Sequence, residues 1–167
     1  MNGCMQSPTN ILDGAQLSRR ILALLASEVE QFRSAKPALQ RAPCLAVVLV
    51  GDNPASKSYV AGKEKAAVRC GLVTRNHSLP ASATQPQVMQ ILQALNADDQ
   101  VDGILLQLPL PPHLSPWGLI DAISPEKDAD GLHPLNQGLL MRGTPMALPC
   151  TPLGVVKLID LALAPLE

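Results

Sequence analysis

Apolar and polar positions along the chain follow two different periods. Residues 11–32 carry Leu17, Ile21, Leu24, Leu25 and Val29 at three- and four-residue spacing, which predicts a long first helix. The stretch CLAVVLVGDN (44–53) is a short unbroken apolar run that ends in turn residues, the pattern of a strand buried on both faces of a parallel sheet. A second helix is predicted over 54–70, a strand over LVTRNHSL (72–79) and a third amphipathic helix over QPQVMQILQALNA (85–97). VDGILLQLPLPP (101–112) reads as another buried strand, stopped by prolines that cannot extend a ladder. A short helix over 116–123 is followed by an irregular loop, SPEKDADGLHPLNQG (124–138), and a closing helical pattern in TPLGVVKLIDLALA (151–164). This alternation predicts an α/β fold, a three-layer lobe with helices on both sides of a mostly parallel sheet.

One cation sits on an unexpected face of the second helix. Asn53 followed by Pro54 is a strong start, a capping side chain and then proline at the first helical position. At about 100° per residue, Tyr59, Val60, Ala66, Ala67 and Cys70 form an apolar stripe, and Lys57, Ser58, Lys65 and Arg69 face the other way. Lys63 lies in the middle of the apolar stripe, one turn beyond Tyr59 and about two turns beyond Ser56. An ammonium in such a place finds partners or gives up its proton, which is how a lysine is fitted for acid–base work. The alternative is that its long stem snorkels out to water.

A second polar residue interrupts an apolar run. Ligands of open α/β sheets bind beyond the carboxyl ends of the strands. Gln107 stands at such an end, and the helix bearing Tyr59 and Lys63 begins at another, just past Gly51. A ring, an amine and a carboxamide are thus expected to converge, although Gln107 serves equally well as a cap on nearby backbone. Asp130, before Gly131, offers a carboxylate on the next loop. It either closes an Asx-turn or accepts two hydrogen bonds from an amidine-like ligand edge.

Composition narrows the field by exclusion. The chain is 47% hydrophobic but only 2% aromatic, so its core is built from aliphatic residues. A formal net charge of -1 makes no electrostatic case for nucleic acid or an anionic membrane. No apolar run approaches the roughly 20 residues that span a bilayer. The polar start MNGCMQSPTN lacks the regions of a signal peptide, so a cytoplasmic setting is expected. Cys4, Cys44, Cys70 and Cys150 form no Cys-x-x-Cys pair, and His77, His113 and His133 are scattered, so no metal site is expected. Cys44 and Cys70 read as small buried hydrophobes. Neither G-x-G-x-x-G nor G-x-x-x-x-G-K-[ST] occurs, so no nucleotide cradle is recognisable.

Taken together, VGDNPASKSYVAGKEKA, DGILLQLPLP, PEKDADGLHPLNQG and PCTP resemble the catalytic domain of bifunctional methylenetetrahydrofolate dehydrogenase/methenyltetrahydrofolate cyclohydrolases. The resemblance runs in order over about 11–159. It implies NADP-dependent oxidation of a methylene bridge between two folate nitrogens, then hydrolysis of the methenyl product to the formyl form. By matching position it implies Lys63 as the catalytic lysine, with Gln107 holding its orientation and protonation state. Tyr59 would stack on the folate ring system and Asp130 would bind the pterin's amino-pyrimidine edge. Leu106, Leu108 and Pro109 would line the same cleft, and Ser56 would belong more loosely to the lysine's surroundings.

The resemblance also implies the division of the chain: a loosely ordered tail over 1–10, a tetrahydrofolate-binding catalytic domain over 11–150, and over 151–167 the start of a helix leading to an NADP-binding Rossmann domain that this sequence lacks. NADP is therefore expected to be held mainly by that missing domain, and the family's homodimer to rest largely on it. Two other readings stand beside this one. They are the substrate lobe of a shikimate- or amino-acid-type dehydrogenase, and a non-catalytic folate-binding module.

Overall fold

The computed structural model describes residues 12–35 and 41–163; the tail over 1–10, with Cys4, lies outside the described residues. Helix α1 spans Gly14–Ala35, strand β1 Cys44–Val50, α2 Pro54–Arg69, β2 Val73–Leu79, α3 Gln85–Ala97 and β3 Gly103–Leu106. Helix α4 (Pro116–Ile120), a 3-10 turn (Pro125–Lys127), α5 (Pro134–Met141) and α6 (Cys150–Leu163) complete the order.

The three strands form one parallel sheet in the order β2-β1-β3. The apolar run of β1 is explained by this position, because it has a partner on each edge and a packed layer on each face. Cys44, Ala46, Val48 and Val50 point to one side, where Val88, Leu92 and Leu95 of α3 and Leu119 and Ile120 of α4 close over them. Leu45, Val47 and Leu49 point to the other, against Leu105 and Val60 of α2. Helix α1 lies outside α2, with the Cys70 thiol donating to the Leu22 carbonyl at 3.4 Å. Cys44 and Cys70 are buried, and burial pushes the Cys44 thiol pKa up.

At the amino ends of the strands Asp102 joins β1 to β3. Its carboxylate accepts from both terminal nitrogens of Arg41, at 2.5 and 2.9 Å, and from the Cys44 N–H at 2.8 Å. The candidate site lies at the opposite, carboxyl ends of β1 and β3.

The strand read within 101–112 is Gly103–Leu106, ending ahead of Pro109, which has no N–H to donate to a ladder. Two sequence expectations need correction. The fourth helix stops at Ile120 rather than 123. The loop expected over 124–138 is largely ordered into the 3-10 turn and α5. Helix α5 starts for a legible reason: Pro134 is at its first position, and His133 Nδ1 accepts the Leu135 N–H at 3.1 Å.

This packing predicts a sharp contrast between faces. Replacing Leu92, which has no exposed surface, by alanine lowers the unfolding free energy by about 2–5 kcal/mol. Leu24→Ala, on the exposed side of α1, changes it by about 0.5 kcal/mol or less. Urea unfolding followed by circular dichroism measures both.

Candidate active site

A cavity of about 570 Å³ opens at the carboxyl ends of β1 and β3. Five parts of the chain bring side chains to it, α5 through Gln137 and four others. Helix α2 contributes Tyr59 and Lys63, the segment after β3 contributes Gln107 and Leu108, the following loop contributes Asp130 and Leu132, and the start of α6 contributes Cys150 and Thr151.

The sheet sets the first of these placements. Val48 pairs with Leu106, and the Gln107 N–H continues the ladder to the Val48 carbonyl at 2.8 Å. Gln107 is thereby held at the mouth of the sheet, with 8% of its surface exposed. Its Nε2 donates to the Leu108 carbonyl at 2.6 Å, which turns Oε1 towards α2, where it accepts from Lys63 Nζ at 3.1 Å. Gln107 is therefore both the backbone cap and the lysine's partner. Lys63 is half-buried and points to the amide, not along its stem to bulk water.

Helix α2 lies on the sheet through Ser56, Val60 and Ala67, which are buried. Lys63 falls beside them on the wheel, next to Ser56, and Tyr59 at the edge of the stripe. The apolar stripe is accordingly narrower than its residue types suggest. Tyr59 is 66% exposed and serves the cavity wall rather than the core.

Asp130 is held between a backbone bond from the Ala129 N–H to the Ile104 carbonyl at 3.1 Å and Gly131, whose φ is +65°. A Cβ on Gly131 would stand 3.1 Å from the Pro149 nitrogen, so glycine is required there. Asp130 makes no Asx-turn; among the described residues its carboxylate accepts no hydrogen bond and stays open to the cavity. Burial raises its pKa, nearby Lys63 lowers it, and Asp128 raises it further, with the net direction upward. Leu106 lies in the core rather than in the cavity wall, and Pro109 is exposed and outside the lining. Ser56 is buried on the same helix face as Lys63.

Residues 12–130 match the family described as tetrahydrofolate dehydrogenase/cyclohydrolase, catalytic domain. The chain belongs to this family. It is 45% identical over 154 residues to the bifunctional protein FolD of Salinibacter ruber, covering 92% of this chain and 50% of that protein. With FolD of Treponema pallidum it is 47% identical over 156 residues, covering 93% and 49%. The solved FolD of Campylobacter jejuni superposes with a TM-score of 0.83 at 44% identity, over 90% of this chain and 52% of that one. That of Trypanosoma brucei, solved with NADP cofactor and inhibitor, gives 0.85 at 34%, over 91% and 51%. The chain spans about half the length of the curated relatives it matches.

The family implies a dinucleotide, and the start of α2, which follows a strand, does not suit its phosphates. Phosphate cradles use free N–H groups at a helix start. At α2 the Ala55 and Ser56 N–H groups are taken by Asn53 Oδ1, at 2.9 and 3.2 Å, and Pro54 has none. Among the described residues no cluster of three or more His, Cys, Asp or Glu side chains could hold a metal, and no helix is long and apolar enough to cross a membrane. His113 is occupied with the Ala83 carbonyl, at 2.8 Å.

Sequence reasoning passed over several members of the wall. The PCTP motif is among them: Pro149, Cys150, Thr151 and Pro152 line the same cavity as Lys63 and Gln107. Burial first, and then Asp130, hold the Cys150 thiol above its ordinary pKa and so against nucleophilic use. Gln137, also in the wall, donates to the Gly131 carbonyl and braces the turn after Asp130.

The raised pKa of Asp130 has a stability consequence. The folded chain holds this proton more tightly than the unfolded one, so stability falls as pH rises from the ordinary value of 3.8 through the raised value. Asp130→Asn therefore raises the melting temperature at about pH 7, and the gain shrinks to nothing in acid below the ordinary value. Thermal melts across that range measure it.

Proposed function

We propose that this chain is the folate-binding catalytic lobe of a bifunctional enzyme. That enzyme oxidises methylenetetrahydrofolate with NADP and hydrolyses the methenyl product to formyltetrahydrofolate. The observation that carries the reading is the Lys63–Gln107 hydrogen bond in the wall of a cavity that also presents Tyr59 and an unengaged Asp130. Family membership supports it.

The substrate's plate-like bicyclic ring lies against Tyr59, whose open face suits stacking. Asp130 accepts two hydrogen bonds from the amino-pyrimidine edge, a charge-assisted arrangement that fixes the ring's direction in the slot. The one-carbon bridge then faces Lys63. For hydrolysis, water adds to the methenyl carbon, a cation shared by two nitrogens, and Lys63 takes a proton from it as the C–O bond forms. As the C–N bond breaks, the remaining hydroxyl proton passes to the departing nitrogen. One proton is released to solvent overall. Gln107 orients the amine through a neutral oxygen, so it places the group without a second carboxylate that would hold the proton.

The hydride-accepting dinucleotide is held mainly by residues outside 12–163, while the described residues bind and orient the folate and supply the Lys63 amine for proton transfer. With this reading go a cytoplasmic location and a homodimer, both taken from the family.

Two experiments test it. In the intact protein, Lys63→Ala lowers methenyltetrahydrofolate hydrolysis by about 100-fold or more; an unchanged rate removes Lys63 from its role. The 167-residue chain alone shows no efficient NADP-dependent oxidation of methylenetetrahydrofolate, read from the absorbance of the methenyl product. A robust rate from the isolated chain would place the dinucleotide site within it.

A further inference from the structure

Asp128 and Asp130 stand two residues apart and are used in opposite ways. Asp128 is buried, and its Oδ2 accepts the His133 N–H at 2.8 Å and Asn136 Nδ2 at 2.9 Å. Asp130 faces the cavity with its carboxylate free among the described residues.

Asn136, on α5, has no exposed surface. The Nδ2 that reaches Asp128 also donates to the Pro125 carbonyl at 2.9 Å, so one amide nitrogen joins the 3-10 turn, the loop and α5. Its Oδ1 is buried and has no partner among the described residues. A buried acceptor left unpaired is costly, which makes an amide a poor choice for filling space here. What the side chain supplies is its pair of donor bonds.

We propose that Asn136 is a positioning residue: by holding Asp128 it fixes the segment 128–133, and thereby the place of the Asp130 carboxylate in the cavity wall. This rests on the reading of Asp130 as the folate-binding carboxylate. The surrounding backbone transmits the effect. Ala129 is tied to β3, Gly131 is packed against 147–149, and the Gly131 carbonyl accepts from Gln137, the neighbour of Asn136 on α5. Asp130 thus sits on a short arch whose feet are β3 and α5, and Asn136 locks the α5 foot to the carboxylate two residues before it.

The test is a double-mutant cycle on methenyltetrahydrofolate hydrolysis by the intact protein. Asn136→Ala raises KM about 10- to 100-fold, the loss expected for a hydrogen bond to a charged group, while kcat stays within about threefold. In an Asp130→Ala background the same substitution adds less than about twofold, because its effect acts through Asp130. An undiminished effect in that background, or a fall in kcat with KM unmoved, assigns Asn136 to general folding and overturns the proposal. KM raised by Asp130→Ala but unmoved by Asn136→Ala overturns the proposal alone. KM unmoved by Asp130→Ala overturns the reading of the site and the proposal with it. Should Asn136→Ala fail to fold, Asn136→Ser, which keeps a donor, is read on the same two axes.

Discussion

Parallel pairing of β1 with β3 places Val48 beside Leu106 and lets the Gln107 N–H extend the ladder by one bond. The site depends on that register. A slip of one residue would turn Gln107 to the opposite face of the sheet and exchange the two apolar layers. The register is defended on both sides, because Val48, Ile104 and Leu106 belong to the layer under α3 while Val47, Leu49 and Leu105 belong to the layer under α2. The amide that receives Lys63 is thus fixed by the same burial that makes the core.

From this anchor the site is assembled by elements of different rigidity. Helix α2 is pinned at its start by Asn53 and along its length by Val60 and Ala67, which sets the height of Lys63 over the sheet. The loop bearing Asp130 has no sheet to hold it beyond its first residues. It is held by side chains instead: Asn96 spans the Ala122 carbonyl and the Ser124 N–H, and Lys127 Nζ donates to three carbonyls at the end of α3, those of Leu95, Asn96 and Asp98. An ammonium at a helix carboxyl terminus is well placed against the dipole. The EKDADG stretch therefore divides its charges between anchoring, with Lys127 and Asp128, and presentation, with Asp130.

Much of this was legible in the sequence. The run CLAVVLV reads as a strand buried on both faces, and the helical wheel alone sets Lys63 apart from Lys57. Two things were not legible. Periodicity grades a helix face by residue type, so it counts Tyr59 in one apolar stripe with Val60 and Ala67, although only those two are buried and the ring is largely exposed. A window of polar and turn residues over 124–138 hid α5, whose helix is only eight residues long and too short for a periodic signal. Asn136 was invisible for a related reason. Its importance comes from a bond to Asp128, eight positions away, and from burial that no local pattern reveals. The proline and histidine at 133–134 were the available clue.

The scarcity of rings in this chain has a spectroscopic side. It contains one tyrosine, one tryptophan and one phenylalanine. The tyrosine is Tyr59, in the cavity wall, while Trp117 lies on α4, outside the cavity lining, and is 71% exposed. Every tyrosine signal from this chain, in absorbance, emission or a selectively labelled resonance, is a signal from the site, and the indole provides a reference outside the cavity wall within the same molecule.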